Sequence, residues 1–201
     1  MFSVFRVKTR RFWGCGDGIA AVEFALILPL LITTFFGMIE VADAMTANRR
    51  VAIATNNAAD LAAQSISLSP SEVAGLYQAV ISTLEPADLT GVDMTLVSII
   101  LDGDDNPIVH WSSDKNGAEH EDYAPGDNFT ELAGEFMTGS SGFVLNSGGS
   151  VIFAKIEYPY TTTFTHRFVD ETIDFERNAI RIPRLIARIQ FCDDNGNNCT
   201  G

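Results

Sequence analysis

Ile19-Ala20-Ala21-Val22-Glu23-Phe24-Ala25-Leu26-Ile27-Leu28-Pro29-Leu30-Leu31-Ile32-Thr33-Thr34-Phe35-Phe36-Gly37-Met38-Ile39 carries a single charge, Glu23. At 1.5 Å per residue such a helix reaches roughly 30 Å, the thickness of a hydrocarbon core. No later stretch of the 201 residues is as long and as uncharged. One span is therefore expected over residues 19–39. The flanks orient it. Arg6, Lys8, Arg10 and Arg11 precede it, opposed by Asp17, whereas Glu40 and Asp43 follow at once. Basic residues stay cytoplasmic, so a cytoplasmic leader (1–18) and an exported region (40–201) are expected.

Working outward, the leader ends in Gly14-Cys15-Gly16-Asp17-Gly18, which will not sustain a helix. Beyond Ile39 the helical signal continues. Residues 40–67 hold no Pro or Gly and are crowded with alanine, with Val41, Met45, Val51, Ala58, Ala62 and Ile66 near helical spacing. One helix from Ile19 to about Ser67 is predicted. Ser69-Pro70-Ser71-Glu72 then reads as a capping box with Pro at the first helical position, and Leu68 and Val73 fit a hydrophobic staple. A second helix over about 70–84 follows.

After Pro86 the pattern becomes that of strands. Residues 92–99 alternate, Asp102-Gly103-Asp104-Asp105-Asn106 makes a turn, and Ile108–Trp111 returns. Residues 151–158 form a further strand, 160–169 and 185–191 are strand candidates, and Phe129–Met137 a short helix. The fold class is α+β: a long N-terminal helix, membrane-spanning in its first half, leading into a small antiparallel sheet.

Charge narrows the partners. The net charge is −13, and beyond the span 24 acidic residues face nine basic ones. Such a field repels nucleic acid phosphates, so no nucleic-acid partner is expected. Cys192 and Cys199 enclose six turn-forming residues, and a disulfide is expected there in an oxidising compartment, whereas Cys15 stays reduced.

Catalytic patterns are missing. His110, His120 and His166 are scattered, and no metalloprotease, serine-hydrolase or phosphate-loop motif appears. The Asp102–Asn106 run suits calcium by donor type, but Ser113 stands where a twelve-residue loop needs its bidentate Glu. The expectation is no enzyme, no cofactor and no metal.

Glu23 is the feature that composition leaves unexplained. An ionisable residue in a membrane helix is costly unless paired or neutralised. It lies one turn inside the helix start and can snorkel. Alternatively, cleavage after Gly18 creates an α-amino group on Ile19, a cation for Glu23 of a neighbouring subunit.

The stretch Gly18-Ile19-Ala20-Ala21-Val22-Glu23-Phe24-Ala25-Leu26-Ile27-Leu28-Pro29-Leu30-Leu31 resembles the processing site of type IV prepilins, and is most similar to TadE-like pseudopilins. Ile180-Arg181-Ile182-Pro183-Arg184 is similar to that family's closing region. The resemblance implies cutting between Gly18 and Ile19 by a prepilin peptidase, and assembly through Glu23 and Phe24. It implies a pilin-like minor component of a tight-adherence (Flp) pilus. Its expected partners are that peptidase, other pilin or pseudopilin subunits through the N-terminal helix, and inner-membrane lipid. Two alternatives stay open. One is an uncleaved single-pass inner-membrane protein with a periplasmic binding domain. The other is a secreted chain cleaved after Ala44, at Ala42-Asp43-Ala44.

Overall fold

The computed structural model describes residues 18–85, 88–104, 106–131, 148–162 and 172–200. The leader with Cys15, His166, and parts of the predicted 129–137 and 160–169 elements lie outside them.

Helix α1 is unbroken from Ile19 to Ala63, 45 residues. Pro29 sits inside it and removes one backbone donor. In the following turn the hydroxyls of Thr33 and Thr34 donate to the carbonyls of Pro29 and Leu30, each at 2.8 Å. Both hydroxyls are thus satisfied within the helix, as a lipid environment demands.

The helix stops at Ala63, four residues before the predicted end. Arg184 N–H donates to the Ala63 carbonyl at 3.0 Å and closes the helix end. Ser67–Leu68 (β1) then pairs in parallel with Gln190–Phe191 (β6). Helix α2 spans Pro70–Ile81, with Ser69 as N-cap and the predicted capping box in place. Ser69 N–H donates to Glu72 Oε2 at 2.9 Å, and Glu72 N–H to Ser69 Oγ at 3.4 Å. Leu68 and Val73 are both buried beside it. A 3-10 turn, Ser82–Leu84, completes the predicted second helix.

The sheet consists of β2 (Asp93–Leu101), β3 (Pro107–Ser113), β4 (Ser150–Thr161) and β5 (Thr172–Arg181), all antiparallel in the order β3-β2-β4-β5. One expectation fails here. Of residues 185–191 only Gln190–Phe191 are extended into a strand. The rest dock through Ile186 and Ile189 onto the core instead. Conversely β5 was not anticipated, because charged residues interrupt its alternation.

Helices α1 and α2 cover one face of the sheet. The core between them holds Val51, Ala54, Ala58 and Ala62 of α1, Val73 and Val80 of α2, and Met94, Leu96, Trp111, Ile152, Ala154 and Ile156 of the strands. Trp111 is 2% exposed, and its indole N–H donates to the Ile189 carbonyl at 2.8 Å. On the opposite face Val97, Ile99, Val109 and Phe153 pack under Phe129 and Tyr123. Gly117 brings the two layers together. It has φ +84°, and a Cβ there would stand 2.3 Å from Pro70 Cα, so the turn after β3 can abut α2 only as glycine.

Candidate functional site: the two-part helix and its grip on the sheet

The two halves of α1 differ in their surroundings. From Gly18 to Gly37 every residue is exposed, including Phe24, Leu26, Leu30 and Phe35. From Val51 onward one face is sealed: Val51, Ala54, Thr55, Ala58, Ala59, Ala62 and Ala63 have no exposed surface. Their spacing of three and four residues is one helical stripe. Only part of the predicted stripe coincides with it. Val51, Ala58 and Ala62 are inside, but Val41, Met45 and Ile66 are 58%, 69% and 63% exposed. The helix is read correctly, but its inner side is set by the small residues. A long helix can lie close against β4 and β5 where its side chains are methyl groups.

The first half is long and apolar enough to cross a membrane. Gly18 caps it without a side-chain hydrogen bond, and apart from its chain neighbours and the helix's own backbone no atom of the described residues comes within 4 Å of where its Cβ would be. Ile19 and Phe24 are exposed at 71% and 58%, and Glu23 is exposed with them. Glu23 is five residues on from Gly18, on the same free helix. Among the described residues no hydrogen bond or ion pair is made by the side chains of these four. Ala42-Asp43-Ala44 lies mid-helix, with Ala44 packed against the core.

The second half is held by a row of arginines that the sequence does not announce. Arg177 Nε donates to Asn48 Oδ1 at 2.9 Å, Arg181 to Asn56 Oδ1 at 2.8 Å, and Arg184 pairs with Asp60. On another side, Arg50 donates to the carbonyls of Leu84 and Glu85 at 3.4 and 3.3 Å. The Ile180–Arg184 segment, singled out by resemblance, thus binds the far end of α1. Pro183 within it is buried.

The C-terminal tail makes a second clamp. Cys192 and Cys199 are joined in a disulfide with Cα atoms 4.0 Å apart. Within the loop, Asp194 Oδ1 accepts the N–H of Ser71 at 3.0 Å, in the first turn of α2. That bond holds the Asp194 carboxyl below its ordinary pKa. Cys192 N–H reaches the Leu68 carbonyl at 2.8 Å, and Phe191 lies 5.2 Å from Trp111, centroid to centroid.

Chemical sites are scarce. Asp102 Oδ1 accepts the N–H groups of Asp104 and Asn106, both at 2.8 Å, so its oxygen shapes the turn. Asp114 does the same for Asn116 and Ala118, and Asp193 for Asn195 and Asn197. His120 Nδ1 accepts the Asp122 N–H at 3.2 Å. Among the described residues no group of three His, Cys, Asp or Glu could hold a metal. An acidic groove of 470 Å³ lies on the sheet face away from α1, lined by Asp93, Asp114, Glu121, Asp122 and Glu157 around Lys155. Burial disfavours the Lys155 ammonium, but the hydrogen bond and charge of Glu157 at 2.9 Å, with Glu176 at 3.4 Å, outweigh this and raise its pKa. The groove's own cation is therefore already paired.

His110 stands apart. Ser98 pairs with Trp111 and Ile99 with Val109, which leaves His110 as the extra residue of a β-bulge. Both ring nitrogens are buried without a hydrogen-bond partner among the described residues, and burial, then Arg188, lower its pKa.

The chain thus joins an exposed apolar half-helix to a half-helix packed on a small antiparallel sheet. Residues 18–60 match the family model described as TadE-like protein. The match begins at Gly18 and runs through the apolar half into the packed one. No curated protein and no solved structure matches the chain.

Proposed function

We propose that this chain is a minor pilin or pseudopilin that takes part in assembling a tight-adherence pilus, and that it acts by packing rather than by catalysis. The observation that carries the reading is the division of α1. Its first half exposes large apolar side chains with one acid, and its second half is built into a folded domain. The family match over 18–60 supports it.

In this reading a prepilin peptidase cuts between Gly18 and Ile19. The mature helix sits in the inner membrane with the sheet domain in the periplasm. Glu23 of one subunit meets the new α-amino group of another, which offsets the cost of an acid in lipid, and Phe24 packs beside it. N-terminal sequencing of the protein from its native membrane is the direct test. Mature chains should begin at Ile19. A start at Met45 would make the protein a secreted one, and an intact Met1 a plain anchor. Gly18→Leu should leave the precursor uncut, and Glu23→Ala should abolish its co-assembly with other pilin subunits.

The acidic groove favours a second reading, an uncleaved anchor displaying a binding domain. An unprocessed Met1 together with unchanged assembly of Glu23→Ala would select it.

A further inference from the structure

The Cys192–Cys199 ring is tied to the connection between β1 and α2. Cys192 N–H donates to the Leu68 carbonyl, and Asp194 accepts from Ser71. The two stems of the ring also close on each other. Thr200 N–H donates to the Phe191 carbonyl at 2.9 Å, and Phe191 N–H to Thr200 Oγ1 at 3.1 Å. The ring of Phe191 packs against Trp111. One covalent bond thus fastens stems that hold both the start of α2 and the cover of Trp111.

The two cysteines are unequally placed. Cys192 is 6% exposed, whereas Cys199 is exposed. Thiol–disulfide exchange requires a thiolate to reach one of the two sulfurs, so access decides which is attacked. Cys199 offers that access. The rest of the domain has its own fastenings. Ile186 and Ile189 dock on the core and Arg184 closes α1, all upstream of the ring. The Ser69–Glu72 capping box holds the start of α2 without Asp194.

We propose that Cys199 is a site of thiol–disulfide exchange, and that the ring is a redox latch on segment 190–200. The substrate class is a dithiol reductant. Its first thiolate bonds to Cys199 Sγ, the Cys192–Cys199 bond breaks, and Cys192 leaves as a thiolate that takes up a proton. The reductant's second thiolate then attacks the reductant sulfur joined to Cys199. That closes the reductant's own disulfide and releases Cys199, which is protonated in turn. The cysteine pair gains two electrons and two protons, and the dithiol loses them. Once open, the stems at Phe191 and Thr200 separate, Asp194 leaves Ser71 and Phe191 leaves Trp111. Helices α1 and α2 and the four-stranded sheet stay folded. An oxidising compartment keeps the latch shut. The proposal is independent of whether the first half of α1 enters a pilus.

The full chain carrying Trp13→Phe and Cys15→Ser, in detergent micelles, keeps Trp111 as its one tryptophan and Cys192 and Cys199 as its cysteines. Dithiothreitol is the probe. Maleimide labelling counts thiols, Trp111 emission reads the latch, and far-ultraviolet circular dichroism reads the fold. The expected result is two free thiols, a red-shifted Trp111 emission that acrylamide quenches more strongly, and unchanged helical ellipticity. Two thiols with unaltered Trp111 emission overturn the latch and leave the bond a staple. Ellipticity lost together with the bond also overturns it, because the ring would then hold the whole domain. A bond that resists dithiothreitol in the folded chain, but yields in urea, overturns the exchange site. Brief exposure to glutathione, quenched with acid and mapped by mass spectrometry, locates the attack. Glutathione on Cys199 is expected; glutathione on Cys192, or on both equally, overturns that assignment.

Discussion

The first and second halves of α1 use apolar residues in opposite ways. Between Ile19 and Met38 the large side chains point outward and are uncovered; between Val51 and Ala63 small ones point inward and are sealed. Leu30 is 67% exposed and Ala58 is not exposed at all. In water that arrangement would be unfavourable for the first half, since each large apolar side chain left exposed forgoes about 1.5–3 kcal/mol. In lipid the cost disappears, and bulky residues become the right surface. The second half needs closeness, and alanine supplies it. One continuous helix is thus suited to two solvents, with the change between about Glu40 and Val51.

The strongest way to break this comparison is to place the same acid in each half. Glu23 is exposed in the first half, whereas Ala59→Glu would bury an unpaired carboxylate against the sheet. Urea unfolding should show a loss of about 3–5 kcal/mol, with the domain failing to fold at the upper end. Next comes a cation in the first half. Leu30→Lys should cost about 3 kcal/mol of membrane insertion, read by fractionation or a translocation reporter. It should leave the domain's unfolding curve unchanged.

Size tests the packed half more finely. Ala58→Leu should destabilise the domain by about 1–3 kcal/mol through overpacking, whereas Leu26→Ala should change its unfolding midpoint hardly at all. A smaller effect is expected where Arg184 closes α1. Its pair with Asp60 is partly exposed, 60% and 33% by side chain, so Arg184→Ala should lower stability by about 0.5–1 kcal/mol. Its backbone bond to Ala63 survives that change.

Acidity should separate the halves most gently. His110 has its pKa lowered in the fold, so the unfolded chain binds the proton more readily. The stability it contributes is present above the unfolded value of about 6.5 and declines as pH falls through the window below it. Thermal unfolding of the domain should shift down between neutral and mildly acidic pH, and less so in His110→Phe. Insertion of the first half should not respond.

Several elements were legible because their signals are local. The apolar run, the Ser69–Glu72 capping box and the Asp102–Asn106 turn each need only neighbours in the chain. Strand β5 was not legible. Arg177 and Arg181 occupy positions facing α1, where a strand pattern calls for apolar residues, and they do so by reaching Asn48 and Asn56, more than a hundred residues away. The segment 185–191 misled in the other direction. Ile186 and Ile189 are apolar because they cap the core, not because they alternate in a strand. Likewise Val41 and Met45 fit helical spacing, yet lie beside the packed stripe.

The sequence by itself determined that a single long helix begins after Gly18 with an apolar, membrane-length half and one acid five residues in. Backbone propensity and transfer from water act on contiguous residues, and need no partner to be read. Only the tertiary structure decided which face of that helix is buried, where it stops, and what holds it. Those depend on Arg177, Arg181, Arg184 and the closed tail at Cys192–Cys199, whose contacts form only when distant parts of the chain meet.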